Sequence, residues 1–185
     1  MSFSFRPQHV MRFLSVILAA ALITACSSTP MDNTVAKVDS RIIANDYYQR
    51  IDETCEQHAL GMDGSAQQSG QPALYMASAK AILHCVNNIQ FPKGHPDADK
   101  ALRLMALAVI NLIKGGDIQD AKVALRKTQS KFPNQDLYFA DYSSFFDTAT
   151  ALLQQQSLSA QQLAKLNISS DLRAEIERHQ YWLSH

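Results

Sequence analysis

Neither sign of charge dominates this chain, since 17 lysines and arginines stand against 17 aspartates and glutamates. No basic stripe argues for nucleic acid, and no acidic excess argues for a calcium-binding or disordered tail. Glycine and proline are scarce, six of each, while alanine, leucine and glutamine abound, a helix-former composition. Catalytic signatures are missing as well: there is no serine nucleophile elbow, HExxH, phosphate-binding glycine loop or aspartate cluster. Nothing local supports an enzyme, and no cofactor is expected. Cysteine occurs three times, at Cys26, Cys55 and Cys85.

Long apolar runs are absent after residue 26, and the run that precedes it is short. Phe13 to Cys26 reads Phe-Leu-Ser-Val-Ile-Leu-Ala-Ala-Ala-Leu-Ile-Thr-Ala-Cys, follows Arg6 and Arg12, and ends in small residues. It is too short to span a bilayer comfortably and has the layout of a secretory signal peptide. The alternatives are an ordinary cleaved signal and an uncleaved anchor. Ile23-Thr24-Ala25-Cys26 resembles the lipobox of bacterial lipoprotein precursors. That resemblance implies a signal peptide over residues 1–25, acylation of Cys26 as the mature N-terminus and, with Ser27 in place of aspartate, sorting to the periplasmic face of the outer membrane. Acyl chains contribute about 0.8 kcal/mol per buried methylene, so several on one cysteine give a permanent anchor. Residues 26–38 lack apolar periodicity and read as a lipidated, flexible tether. Residues 39–185 read as a single domain, about the size that buries one core. Without residues 1–25 the chain has 15 basic and 17 acidic side chains, net −2.

In an exported chain the remaining even pair, Cys55 and Cys85, is read first as a disulfide. A first helix is expected after Asp39 or Ser40, with Tyr47, Tyr48, Ile51, Cys55, His58 and Ala59 inward, stopped by Gly61. A glycine-rich loop to Gln71 and a second helix from Pro72 to about Phe91-Pro92 follow, with Leu74, Ser78, Ala81, Ile82, Cys85 and Ile89 inward. In that layout the two cysteines lie about 10 Å out of register, so the second helix should overshoot and the loop should run back along it.

The segment Ala98–Lys114, capped by Asp97 or a neighbour, is apolar almost all round between Ala101 and Ile113, broken only by Arg103 and Asn111. A helix without a polar face is covered on several sides and is therefore central. After Gly115-Gly116-Asp117 an amphipathic helix places Ile118, Ala121, Leu125, Thr128 and Phe132 inward and closes at Pro133. Over about residues 97–133 this Gly-Asp turn, with Ala121, Leu125 and Pro133 at their spacings, resembles a tetratricopeptide repeat. Val109 and Thr128 depart from the pattern, and no second copy follows at that period. The alternative is an ordinary hairpin in an irregular bundle.

A helix over about Leu137–Gln156 is expected next, with Phe145, Ala149, Leu152 and Leu153 in the core. Its aromatics exceed what one buried stripe uses, so Tyr138, Phe139 and Tyr142 are candidate partner-binding residues; the alternative is that neighbouring helices cover them. Ser157 or Ser159 caps a short helix to about Leu166. Ser169-Ser170-Asp171 caps a last one, with Leu172, Ile176, His179 and Leu183 inward and Trp182 near its end, docking as a lid over the stack.

Cys55 and His58 share a helix face, and His84-Cys85 lies on the next helix. Adjacent His84 and Cys85 point about 100° apart, however, and a disulfide removes the thiolates, so no metal site or cysteine nucleophile is expected. The expectation is an all-α lipoprotein, an irregular helical bundle or short tetratricopeptide-like stack of about six helices. Its expected role is non-catalytic, as a periplasmic adaptor or assembly factor holding an envelope protein or peptide. An inhibitor or immunity protein and a bundle binding a small apolar ligand are the alternatives.

Overall fold

The structure, a computed structural model, describes residues 48–185. The expected signal peptide, Cys26 with its lipobox-like stretch, the expected tether, the expected helix start at Asp39 or Ser40, and Tyr47 lie outside the described residues. Seven helices make up the described part: α1 Glu53–Ser69, α2 Pro72–Val86, α3 Ala98–Gly115, α4 Ile118–Lys131, α5 Phe145–Gln154, α6 Ala160–Lys165 and α7 Ser170–Ser184. No strand occurs among the described residues, so the fold is all-α, an irregular helical bundle.

The first hairpin departs from expectation at both ends of its first helix: residues 48–52, expected inside it, are not helical, and the helix does not stop at Gly61. That residue and Gly64 lie inside α1, which starts after Asp52, whose carboxylate accepts the Cys55 N–H, and ends only at Gly70. Gly70 takes a left-handed conformation (φ 66°) and donates its N–H to the Ala66 carbonyl. Two interior glycines cost a helix about 1 kcal/mol each. Burial of Ala59, Asp63 and Ala66 on the opposite face compensates. The longer helix also removes the register problem. Cys55 stands fourteen residues before Ser69 and Cys85 thirteen after Pro72, about 21 and 20 Å along two antiparallel helices. No overshoot or back-running loop is needed, and the disulfide forms between Cα atoms 5.8 Å apart. His58, expected inward, is exposed.

α2 ends at Val86, and the segment to Asp97 folds over the end of the bundle. Ile89 is buried, and Phe91 packs against Phe132 and the edge of His95. α3 is the central helix: Leu102, Met105, Val109 and Leu112 are among its nine buried residues, and between Ala101 and Ile113 only Arg103 is exposed. It packs on α2 along one side and α4 along the other, with α5 at a third. Asp97 occupies its N-cap position but does not cap it. The carboxylate turns away to Arg50 and the Ile51 N–H, and the Asp97 N–H donates to His95 Nδ1 at 3.0 Å. His95 Nε2 lies 3.2 Å from the Gln49 carbonyl, so residues 49–51 are strapped to the start of α3.

Gly116, left-handed at φ 82°, ends α3, and the Asp117 side chain caps α4 by accepting the Asp120 N–H. Ala121, Ala124, Leu125, Thr128 and Phe132 are buried as the amphipathic pattern requires, but Ile118 at the first position is exposed. α5 joins the main core through Phe145, Ala149 and Leu153 and supplies Ala151 to a second, smaller core with Leu163, Ile168 and Ile176. α7 closes that second core. Arg173 donates to the Leu163 and Leu166 carbonyls, and Gln180 to those of Gln155 and Leu158. Leu183, expected inward, is exposed beside Tyr181 and Trp182.

Candidate docking surface

The largest local departure from the helical reading is residues 137–144. A tight hairpin replaces the expected first half of the aromatic helix. Phe145 N–H donates to the Leu137 carbonyl at 2.8 Å and Phe139 N–H to that of Ser143 at 3.0 Å, which pairs Tyr138 with Ser144 in an antiparallel bridge. At the tip Tyr142 donates its N–H to the Phe139 carbonyl and sits in the left-handed region, φ 62°. A bulky residue is rarely held there without support. The support is Asn167, whose Nδ2 donates to the Tyr142 carbonyl and whose carbonyl accepts the Ser144 N–H.

Short polar side chains outcompete the helix at this point. Asp136 accepts hydrogen bonds from the Leu137 and Phe146 N–H groups and from Ser144 Oγ. Ser144 Oγ accepts the Asp147 N–H and so caps α5. Asp141 accepts from both the N–H and hydroxyl of Ser143; these bonds, the hydroxyl's first, hold its carboxyl below the usual range. Such side-chain bonds to nearby backbone are the general reason that Asp and Ser interrupt helices. The readable signal was Ser144-x-x-Asp147, an N-cap pattern ahead of Phe145.

The hairpin turns its aromatics outward. Tyr138 is 66% exposed, Phe139 44% and Tyr142 82%, so all three candidate partner-binding residues lie together on one accessible loop, uncovered by α4 or α5. Beside them runs a groove of about 260 Å³ along the outer face of α3. Ala106, Leu107, Ile110, Leu137 and Phe145 line it, and Arg103 stands with them. The Arg103 side chain makes no hydrogen bond or ion pair among the described residues. An apolar trough, an aromatic wall and one uncompensated cation can take up an apolar segment of another chain.

The other candidates fall elsewhere. Both sulfurs of Cys55 and Cys85 are in the bridge, which leaves no thiolate for a metal or a nucleophile, and His58 and His84 are exposed. Among the described residues no three His, Cys, Asp or Glu side chains cluster closely enough to hold a metal ion. No helix among them is long and apolar enough to cross a membrane. Cys26 lies outside them. Comparison with protein-family models, curated proteins and solved structures finds no match to this chain.

Proposed function

We propose that this chain is a lipoprotein, anchored through Cys26 to the periplasmic face of the outer membrane, and that it works as a non-catalytic adaptor. In this reading the domain docks a protein or peptide of an envelope machine, and the lipid holds the pair at the membrane. The observation that carries it is the grouping of exposed Tyr138, Phe139 and Tyr142 beside the apolar groove on α3. Singly exposed apolar residues are ordinary on protein surfaces, but three exposed aromatics on one short loop, two of them lining an apolar groove, favour an interaction site. Aromatic anchors commonly carry most of the energy of such contacts. The lipobox supplies the address and the hairpin the contact.

The test is capture from cross-linked envelopes, comparing the native chain with Cys26→Ala and with the Phe139→Ala, Tyr142→Ala pair. An envelope protein bound by the native chain and lost with the aromatic pair, at unchanged helical circular dichroism and melting temperature, is the expected result. Retention of the same partner by the aromatic pair would remove the hairpin from the proposal. Absence of any envelope partner for both the native chain and Cys26→Ala would remove the adaptor.

A further inference from the structure

A second recess, of about 500 Å³, opens between the segment after α2 and the last two turns of α4, on residues the docking surface does not use. Asn87, Gln90 and Phe91 line one wall and Lys127, Ser130 and Lys131 the other, with Pro92 at the edge. From Lys122 to Gln135 the chain has Lys122, Arg126, Lys127 and Lys131 and no carboxylate. Lys127 and Lys131 are one helical turn apart on one face, where like charges repel. Neither has an ion-pair partner among the described residues.

Lys131 is held in place. Its Nζ donates to the Ile89 carbonyl at 2.5 Å and lies over the Phe91 ring, 5.4 Å from the centroid. Burial and then the charge of Lys127 push its pKa below the usual lysine value. The Ile89 carbonyl and the Phe91 ring account for the position of Lys131. That leaves the side chains of Lys127, Gln90 and Ser130 around the same opening with no hydrogen bond among the described residues. Asn87 Oδ1, on the opposite wall, is buried and has no donor.

We propose that this recess binds a small anionic ligand, a phosphate or carboxylate carried on an apolar or ring-shaped body. The anionic oxygens sit between Lys127 and Lys131, where they relieve the repulsion of the two ammonium groups. Ser130 and Gln90 donate to the remaining lone pairs. The volume exceeds what a bare oxyanion fills, and Phe91 and Pro92 offer the rest of the ligand an apolar face.

The test is a nuclear magnetic resonance titration of the full chain in uncharged detergent micelles. Sodium phosphate, sodium acetate and sodium chloride are added at matched ionic strength, and a further arm dopes the micelles with phosphatidylglycerol. Phosphate or acetate should shift the backbone amides of residues 87–91 and 127–131, saturating with a dissociation constant of about 1 mM. Lys127→Gln, which breaks no contact in the structure, should weaken this about tenfold or more. A saturable response to phosphatidylglycerol alone, lost in Lys127→Gln, would show the same chemistry with the phosphate carried on a lipid headgroup. Shifts no larger than those from chloride in every arm, or a titration that Lys127→Gln leaves unchanged, would overturn the proposal.

Discussion

Asp97 accepts two hydrogen bonds from the Arg50 guanidinium, from Nε and Nη2 at 2.8 Å each, and its Oδ2 also receives the Ile51 N–H at 3.0 Å. The Arg50 bonds, then the Ile51 N–H, hold its pKa down at about 2 against the opposing effect of burial. A carboxyl whose folded pKa lies below its unfolded value of 3.8 contributes stability that is present above that value and lost as pH falls towards 2. Full burial would make this about 2 kcal/mol, and screening at the exposed guanidinium reduces it to about 1 kcal/mol. Urea unfolding of the native protein should therefore weaken between pH 4 and pH 2 more steeply than that of Asp97→Asn. Parallel curves for the two would show that the strap carries no linkage.

The Cys55–Cys85 bridge closes a sequence separation of 30 residues. On the chain-entropy account it stabilises the fold by about 3 to 4 kcal/mol. The Cys55→Ser, Cys85→Ser double variant is expected to keep its helical circular dichroism at room temperature and to melt well below the native protein. A reducing agent should reproduce the effect in the native chain and leave the variant unmoved.

Glycines at two kinds of site should respond oppositely to alanine. A Cβ on Gly115 would lie 2.5 Å from Met76 Cγ and 3.1 Å from the Pro72 carbonyl, so Gly115→Ala should push α2 and α3 apart and cost about 1 to 3 kcal/mol. Gly64 has nothing within 4 Å of that position and lies within α1. Gly64→Ala is expected to gain about 0.5 to 1 kcal/mol. Chemical denaturation of the two variants settles both signs.

In the centre of the bundle Asn111, 1% exposed, donates from Nδ2 to Asp63 Oδ1 at 2.7 Å and to Ser78 Oγ at 3.1 Å. Gln67 completes the set on Asp63 Oδ2. These bonds tie α1, α2 and α3 together through one side chain. Asn111→Ala removes a donor shared by two buried acceptors and is expected to cost about 2 to 4 kcal/mol. A double-mutant cycle with Asp63→Ala should show coupling of about 1 kcal/mol or more; additive losses would show that the two side chains act separately.

Much of the architecture was legible along the chain because its signals are local. Proline at the first position of α2, the Gly115-Gly116-Asp117 stop after α3, Ser159 and Ser169 as caps, and the apolar girth of Ala101–Ile113 each act within one or two turns. The cysteine pairing was legible as the even pair left in a chain whose start reads as an export signal. Exposure of the aromatic loop was not, since Tyr138, Phe139 and Tyr142 carry the same hydrophobicity whether buried or exposed.

By itself, then, the sequence determined the helical class and the central place of α3, through composition, periodicity and caps, and the pairing of its two downstream cysteines, through their even number. Tertiary structure alone decided that α1 continues through Gly61 and Gly64, because packing of Ala59, Asp63 and Ala66 and the bridge at Cys55 outweigh a local helix penalty. Local bonds from Asp136, Asp141 and Ser144 interrupt the helix over residues 137–144, and the tertiary structure fixes the hairpin there, because Asn167, far along the chain, holds the Tyr142 carbonyl and the Ser144 N–H. Contacts between residues distant in sequence leave no mark in local spacing, and those contacts are what brought the three aromatics to the surface.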